Sequence, residues 1–442
     1  MKLWQKNFDI HEKIERFTTG RDRETDLLLA RYDVIGSLAH IQMLQSVGLL
    51  TVKELQQLQQ GLKDIYREIE AGQFLIREGV EDVHSQIELL LTERLGEVGK
   101  KIHSGRSRND QVLTDIKLFI RAELQRLVEN IASFANLLIA QSETYKHLLL
   151  PGYTHLQLAM PSSFGLWFGA YAESLADDLL VVQAAYKIAD QNPLGSAAGY
   201  GSSFPLNRRM TTELLGFSDL NYNSVYAQMT RGKTERITAV AMGSVAATLG
   251  KLAADVCLYM CQNMDFLTFP RELTTGSSIM PHKKNPDVFE LIRAKCNRLQ
   301  MLPAEIGMIL ANLPSGYHRD LQLIKENLLP AFAELNDCID LAMYMLERVI
   351  IRETIINEEK YKYLFSVEAV NKEVLAGMSF RDAYKKIGLI IEEGNFHPET
   401  TLSHTHEGSI GNLCNSEIKR KIETIISDFR FDKAQRMFEL VS

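Results

Sequence analysis

Apolar side chains recur every three or four residues along much of the chain, which is the spacing of one face of an α-helix. The clearest run lies between residues 234 and 265, where the apolar positions are Ile237, Val240, Ala241, Val245, Leu249, Leu252, Val256 and Tyr259. Most residues between them are also small or apolar, so this helix has to be buried on several sides. At about 1.5 Å per residue it would be roughly 45 Å long, too long for the middle of a compact monomeric domain. The pattern therefore predicts a central helix in a homo-oligomer.

Three further long helices follow from the same spacing. They are predicted from Thr114 to about Leu150, from about Pro161 to Asp190, and after Asn285. The first should end at Pro151 and Gly152, because proline lacks the amide donor and glycine tolerates the turn. Alternation typical of strands is scarce. We therefore predict an all-α fold with a central bundle of long antiparallel helices.

The length of 442 residues allows two or three domains of roughly 100–200 residues. We predict a helical amino-terminal domain (1–104), a central long-helix bundle (105–355) and a small helical carboxyl-terminal domain (356–442). The Gly/Ser-rich segment 192–208 is either a flexible connection or a mobile flap over a site. Composition leaves both interpretations open.

Composition and charge narrow the class of protein. A formal net charge of −7 argues against nucleic acid as the main partner, and five scattered cysteines fit a reducing compartment. Cys257 and Cys261 are four residues apart, but no nearby His or Cys pair completes a metal site, so we interpret them as buried apolar residues. The charged amino end does not resemble a signal peptide, and no apolar run approaches the roughly 18–20 residues that span a bilayer. We predict a cytoplasmic protein with no membrane segment.

Short polar segments interrupt the predicted helices at 103–110, 152–161, 274–287 and 315–327. The first is either a solvated connection whose Asn or Asp caps a helix, or a carboxylate site with two guanidinium groups. The second contains His155, which is either a structural histidine or a general acid or base. The fourth is either the amphipathic start of a helix or a set of long polar side chains, Tyr317, Gln322 and Lys325, that could contact a ligand.

The third segment, "TTGSSIMPHKKNPD", explains itself only at its end. Asn285 is a plausible N-cap, Pro286 suits the first helical position, and Asp287 suits the helix dipole. The preceding residues have no such local explanation. Lys283 and the positive end of the next helix could stabilise a negative charge, and a serine there could act as nucleophile or base. Glu290, one turn further, could orient a histidine.

Together these segments resemble the aspartase/fumarase superfamily, whose third signature region has the form G-S-S-x-M-P-x-K-x-N-P and is matched here by residues 276–286. Within that superfamily the chain is most similar to the argininosuccinate lyases. The supporting stretches are "YDVIGSLAH" (32–40), "EDVH" (81–84), "SGRSRNDQV" (104–112) and "GYTHLQ" (152–157). The resemblance covers roughly residues 26 to 390.

The resemblance implies an all-α subunit of three domains that assembles into a tetramer, with each active site at a junction of three subunits. It also implies reversible β-elimination of argininosuccinate to arginine and fumarate, without a metal or organic cofactor. Donors aimed at the charge that develops on the substrate carboxylate should contribute most to this reaction.

The resemblance also assigns roles to residues. Ser277 is the expected base, Lys283 and Asn285 hold the substrate carboxylate or help the serine ionise, and His155, paired with Glu290, assists proton transfer. The fumarate half would contact Ser107, Arg108, Asn109 and Thr154. The arginine half would contact Tyr317, Gln322 and Lys325. His84 would line the pocket, and Arg236 matches a family arginine that influences activity.

Several positions depart from the family pattern. The family usually begins L-W-G-G-R-F, whereas this chain has Leu3-Trp4-Gln5-Lys6-Asn7-Phe8. Asp22 replaces a family serine near the arginine end, His282 stands where glutamine is usual, and His318 stands where asparagine is usual. An argininosuccinate that is acylated on its amino group therefore stays open as a substrate. Other superfamily lyases, acting on adenylosuccinate or aspartate, and a catalytically silent structural paralogue are the remaining alternatives.

Overall fold

The computed structural model describes residues 11–442 of the chain. The α-helices of the amino-terminal part are α1 (Glu12–Thr19), α2 (Asp22–Thr25), α3 (Ala30–Ser46), α4 (Val52–Glu70), α5 (Val83–Leu95) and α6 (Glu97–Lys100). The central part contains α7 (Arg108–Thr144), α8 (Phe164–Ala189), α9 (Arg208–Leu214), α10 (Ser224–Met229), α11 (Lys233–Tyr259), α12 (Asp287–Leu299), α13 (Leu302–Ile309) and α14 (Leu323–Leu346). The last part contains α15 (Ser366–Leu375), α16 (Phe380–Glu392), α17 (Asn415–Ser427) and α18 (Phe431–Gln435).

Strands form only small elements in the described part of the chain. They are β1 (Leu149–Thr154), β2 (Gln157–Ser163), β3 (Gln191–Asn192), β4 (Asp219–Leu220), β5 (Leu267–Thr268) and β6 (Ile350–Ile351). β1 pairs with β2 and β5 with β6 in antiparallel fashion, whereas β3 and β4 are parallel. The all-α class that the sequence predicts is confirmed, with these short pairs as additions.

The centre of the molecule is a bundle of long helices. α7 packs along α8, α11 packs against α8 and α12, and α14 contacts both α7 and α12. One large apolar core runs through these helices and includes the fully buried Val245 and Leu249 of α11. The prediction that α11 is buried on several sides is confirmed.

α11 also corrects the expectation that no apolar run reaches membrane-spanning length. It is the helix within residues 11–442 that is long and apolar enough to cross a bilayer by length and composition. Its packing against α8, α12 and α14 shows instead a core helix of the bundle. Apolar side chains nevertheless remain exposed on it, including Val240 at 46% and Leu258 at 39%.

The start of α7 lies at Arg108, earlier than the predicted Thr114. Ser107 is the N-cap: its Oγ accepts a hydrogen bond from the Asn109 amide at 3.2 Å, and Asp110 Oδ1 accepts one from the Ser107 amide at 2.9 Å. This reciprocal capping box satisfies amide groups that the first helical turn leaves unpaired. The expectation that an Asn or Asp is the cap of this helix is therefore wrong.

The end of α7 lies at Thr144, and the predicted continuation to Leu150 is wrong. Leu149 and Leu150 continue the apolar spacing, but they pair with Ser163 and Ser162 in a β-hairpin. Because two neighbouring apolar residues fit a helix face or a short strand equally well, the spacing placed the end of this helix too late. The same hairpin delays the next helix, which begins at Phe164 instead of Pro161.

The largest apolar cluster runs from Leu29 to Met437 and so crosses the predicted domain bounds. A second cluster joins α3, α4 and α5, and a small third one contains Val370, Ala383, Ile387 and Phe396. α3 also contacts α7, however, and α17 packs back against α8. The exact three-domain division remains a prediction. Cys257 and Cys261 are only partly buried, so their interpretation as buried residues was too strong.

Candidate active site

A cavity of about 200 Å³ lies where the start of α7 meets the amino-terminal helices and the start of α14. Its lining residues are Asp22, Asp26, Glu81, Asp82, His84, Arg108, Asn109, Val112, Arg231, Tyr317, Arg319, Gln322 and Lys325. Almost all of them are charged or polar. Charged side chains of both signs in one concave site suit a ligand that also carries both signs.

Arg108 stands at the first position of α7, where the capping box fixes its backbone. Its Nη1 donates to Asp82 Oδ2 at 3.1 Å and lies 3.6 Å from Glu81 Oε2. Its Nη2 is buried and has no hydrogen-bond partner among the described residues. A buried guanidinium N–H without a partner is costly, so this donor is available for a ligand carboxylate.

Arg231 reaches the same cavity and was missed in the sequence. Its Nε donates to Glu235 Oε1 at 2.7 Å and its Nη2 donates to the Leu321 carbonyl at 2.9 Å. Its Nη1 is buried and, within the described part of the chain, unpartnered. The available signal was the Arg-x-x-x-Glu spacing at the start of the long helix α11, which predicts an i,i+4 pair.

Arg236, the arginine selected from the sequence, is not part of this cavity. It is exposed on α11, and its guanidinium lies beside Gly307 of α13. The turn of the helix separates it from Arg231, which the cavity includes. Its predicted role in one chain is therefore not supported by the geometry.

Lys325 lines the cavity together with the carboxylates of Asp22 and Asp26. Its Nζ lies 2.9 Å from Asp22 Oδ1 and 2.5 Å from Asp26 Oδ1. Burial raises the pKa of Asp22 to about 6, although Lys325 opposes that shift. Burial would lower the pKa of Lys325, but the charges of Asp26 and Asp22 outweigh it and raise the pKa. The unusual Asp22 is thus bound to the lysine that was predicted to hold the arginine half.

Tyr317 and Gln322 also line the cavity. The Gln322 amide donates to the Thr18 and Thr19 carbonyls at 3.1 Å each, so it ties the start of α14 to the end of α1. Tyr317 is 39% exposed. The cavity therefore gathers His84, Arg108, Asn109, Tyr317, Gln322 and Lys325 as predicted from the sequence.

His84 lies at the start of α5 and is nearly buried. Its Nδ1 is 3.1 Å from Asp33 Oδ1 of α3 and 3.5 Å from Asp115 Oδ2 of α7. Burial would lower the pKa of His84, but the charge of Asp33 outweighs it and raises the pKa above 6.5. One oxygen of each carboxylate and a ring nitrogen of His84 all lie within 4.8 Å of one another.

The segment 274–287 stands apart from the cavity as a loop closed at its base. Asn285 donates its backbone amide to the Thr275 carbonyl at 2.9 Å and its side-chain amide to the Gly276 carbonyl at 3.2 Å. The prediction that Asn285 caps the next helix is wrong, because Pro286 occupies the N-cap position of α12. Asparagine is used here to close the loop.

Ser277 lies near the tip of this loop and is half-buried. Its Oγ accepts weak hydrogen bonds from the amides of Ile279 at 3.3 Å and Met280 at 3.2 Å. Lys283 and Glu290 are exposed, and Ile279 is 83% exposed. The loop thus leaves Lys283 and Ile279 exposed, while the Ser277 hydroxyl accepts hydrogen bonds from within the loop.

His155 lies at the tip of the β1–β2 hairpin. Thr154 pairs with Gln157, and both residues of the turn between them have positive φ: 53° for His155 and 57° for Leu156. Asn and Gly usually fill such turns, so His-Leu stores strain there. Thr154 and His155 are both exposed. The hairpin holds the histidine away from its own subunit.

One chain therefore does not assemble the whole predicted site. The predicted residues that do not line the cavity are Ser107, Thr154, His155, Arg236, Ser277, Lys283, Asn285 and Glu290. The Ser107 hydroxyl is occupied in part as the α7 cap. The others are exposed or half-buried.

Asp110 connects the start of α7 to the Gly/Ser-rich segment 192–208. Its Oδ2 accepts from the amides of Gly195 at 2.9 Å and Ala197 at 2.8 Å. Burial raises the pKa of Asp110 to about 6 despite these donors. Residues 192–196 are buried, whereas 202–205 are exposed. The first part of the segment is thus anchored, which contradicts a flexible connection along its whole length.

Known proteins are similar to this chain in sequence and in fold. A sequence model of the family described as Lyase matches residues 11–300. The argininosuccinate lyase of Parabacteroides distasonis is 62% identical over 432 residues, covering 98% of this chain and 97% of the relative. The argininosuccinate lyase of Bacteroides fragilis is 63% identical over 430 residues, which cover 97% of this chain and 96% of the relative. That of Thermotoga neapolitana is 36% identical over 386 residues, covering 87% and 97%. The chain belongs to the lyase family and, within it, to the argininosuccinate lyases.

Solved structures show the same architecture. An EDDS lyase variant with bound fumarate has a TM-score of 0.75 at 19% identity, covering 98% of this chain and 94% of that chain. A fumarate lyase:delta crystallin from Brucella melitensis, bound to cobalt, has a TM-score of 0.71 at 15% identity, covering 96% and 94%. At such identities the likeness shows the fold. The family resemblance seen in the sequence is confirmed.

Proposed function

We propose that the protein is an argininosuccinate lyase that catalyses reversible β-elimination of argininosuccinate to L-arginine and fumarate, the last step of arginine biosynthesis. The family supplies the reaction class, a carbon–nitrogen lyase. The observation that carries the proposal is that Arg108 and Arg231 line one cavity and that Arg108 Nη2 and Arg231 Nη1 are buried without a hydrogen-bond partner among residues 11–442. A dicarboxylate substrate would satisfy both.

The reaction needs no metal or organic cofactor in this proposal. Ser277 removes the proton beside a substrate carboxylate, and Lys283 stabilises the negative charge that develops there. His155, oriented by Glu290, transfers a proton towards the departing nitrogen. Arg108 and Arg231 hold the fumarate half, while Lys325 and the carboxylates around it face the arginine half.

We further propose that each site is shared in a homotetramer. The outward placement of Ser277 and His155 supports this, because the cavity of their own chain does not contain them. Exposed apolar side chains on the long helices also support assembly. They include Leu180, Val240, Leu258, Leu291, Leu341 and Tyr344. A cytoplasmic location remains a prediction from composition.

The experiment is to incubate the purified protein with argininosuccinate and follow fumarate by its ultraviolet absorbance. N-acylated argininosuccinate, adenylosuccinate and aspartate are tested in parallel. We expect fumarate from argininosuccinate. Turnover of adenylosuccinate or aspartate alone would reject the substrate, and no turnover of any of them would favour a structural paralogue. Preference for the acylated compound would assign a new role to Asp22.

A further inference from the structure

Behind the cavity wall, three helices bring His84, Asp33 and Asp115 together. Asp33 and Asp115 are at most 1% exposed. His84 directs Nδ1 at both carboxylates, at 3.1 Å and 3.5 Å. No hydrogen bond to its other ring nitrogen, Nε2, occurs within residues 11–442, and the residue lines the cavity. One nitrogen of the imidazole ring, Nδ1, therefore contacts the two carboxylates, and the other, Nε2, is available to a ligand.

The two carboxylates have more acceptor atoms than the protein supplies with donors. Asp33 Oδ2 and Asp115 Oδ2 are both buried without a hydrogen-bond partner in the described part of the chain. Two ionised carboxylates this close repel each other in a medium of low dielectric constant. One proton on the pair removes the repulsion and turns one acceptor into a donor.

The surroundings indicate which carboxyl group carries the proton. Asp33 Oδ1 receives the Gln111 amide at 2.5 Å as well as His84 Nδ1, so its ionised form is stabilised. Asp115 has the more distant contact with the imidazole and no comparable donor. Burial and then the charge of Asp33 raise the pKa of Asp115 well above its usual range. The charge and hydrogen bond of His84 outweigh burial and lower the pKa of Asp33.

The same surroundings disfavour a cation in the cluster. Gln111 Nε2 points its hydrogens at Asp33, the ligand that a metal ion would need. The positive charge of Arg106 acts on both Asp33 and Asp115. The charged or titratable groups that act on His84 or share its surroundings are Asp26, Asp33, Asp82, His103, Arg106, Arg108 and Asp115.

We propose that Asp115 carries a proton shared with Asp33, and that this pair holds His84 as an imidazolium whose Nε2–H faces the substrate cavity. Asp33 and Asp115 are then positioning residues, and His84 adds a third cationic donor beside Arg108 and Arg231. The use of that donor for a substrate carboxylate rests on the proposed function. The position of the proton on the Asp33–Asp115 pair does not depend on that function.

The direct test measures the pKa of His84 in the assembled, ligand-free protein by hydrogen exchange at the imidazole C2 position, read by mass spectrometry. We expect a value above 6.5 in the unmodified chain. The Asp33→Asn variant should lower it, because the anionic partner is lost. The Asp115→Asn variant should change it much less, because an amide donates the same hydrogen bond as a protonated acid.

Asp178→Asn is the matched control. Asp178 is a buried carboxylate of α8 that accepts from Thr248 at 2.6 Å and also from Ser244, away from the cavity lining. Its replacement should leave the His84 pKa where it was. Equal falls in Asp33→Asn and Asp115→Asn would overturn the shared proton, since both carboxylates would then be ionised. A wild-type value below 6.5 overturns the proposal without any variant.

Kinetics test the ligand half separately. In Asp33→Asn, KM for argininosuccinate should rise about tenfold, the effect of losing one hydrogen bond to a charged group, while kcat falls less. The rise should grow with pH as the remaining imidazolium loses its proton. A fall in kcat alone would contradict the binding role.

Stabilisation of the wild type, but not of Asp33→Asn, by added Zn²⁺ or Co²⁺ would assign the cluster to a metal instead. If no substrate is turned over, the pKa measurement still decides the proton arrangement.

Discussion

The cavity and the loop 274–287 use polar residues in opposite ways. Around the cavity, charged side chains from distant parts of the chain are buried and paired, as in the contacts of Lys325 with Asp22 and Asp26. In the loop, the hydrogen bonds are local and join Thr275 to Asn285, while Lys283 is exposed. One subunit thus gathers several of the proposed substrate-binding side chains in its cavity, whereas the proposed base Ser277 and His155 lie outside that cavity. Under the proposed shared site, binding and proton abstraction would belong to different chains of one assembly.

The largest expected effect separates the core of α11 from its exposed face. Val245→Asp places a charge where the side chain is fully buried, so it should destabilise the subunit by more than about 4 kcal/mol. Val240→Asp changes a half-exposed position on the same helix and should leave a folded monomer that has lost its activity. Circular dichroism and size-exclusion chromatography distinguish the two. An active Val240→Asp monomer would contradict the shared site.

Next in size is the loss of the proposed base. Ser277→Ala should lower kcat by about 10²–10⁴-fold, the usual contribution of a positioned acid or base, without changing assembly. Ser278→Ala is the matched control, because Ser278 is the exposed neighbour in the same loop. It should retain most activity. Equal losses in the two variants would show that the loop backbone, not the Ser277 hydroxyl, is required.

A smaller effect is expected from Arg231, just before α11, and it can be compared with that of Arg236 on the same helix. Arg231→Lys keeps a positive charge but removes the planar set of donors, so KM should rise about tenfold or more. Arg236→Lys should raise KM less, because Arg236 does not line the cavity. Steady-state kinetics at fixed pH compares them. A larger effect at Arg236 would mean that a neighbouring subunit brings it to the site.

The smallest effect is a pH dependence of stability from Lys117, far from the loop. Its Nζ is buried and donates to the Gln191 carbonyl at 3.0 Å and Asn221 Oδ1 at 2.7 Å, and burial lowers its pKa to about 7. Between about pH 7 and its usual pKa, the unfolded state binds more protons than the folded state. This group therefore adds stability as pH rises through that window. Urea unfolding of the wild type and Lys117→Met should show that the variant loses this slope.

The sequence predicted what depends on periodicity and on specific motifs. The spacing of apolar residues in α11 identified a core helix, and the signature at 276–286 identified the family. It failed where local signals were ambiguous, as at Leu149 and Leu150, which fit a helix or a strand. It also failed where a role depends on tertiary contacts: Asn285 closes a loop instead of capping a helix, and Arg231, which lines the cavity, was missed. Neither distinction is visible without the neighbours that each side chain contacts.

The central claim is that a complete site combines the cavity of one chain with the loop of another. Ser277→Ala and Arg108→Ala, each nearly inactive alone, can be unfolded, mixed and refolded together, and fumarate formation then measured. We predict that mixed tetramers regain activity, because some sites combine an intact cavity from one chain with an intact Ser277 from the other. Activity no higher than the average of the two separate variants would contradict the account.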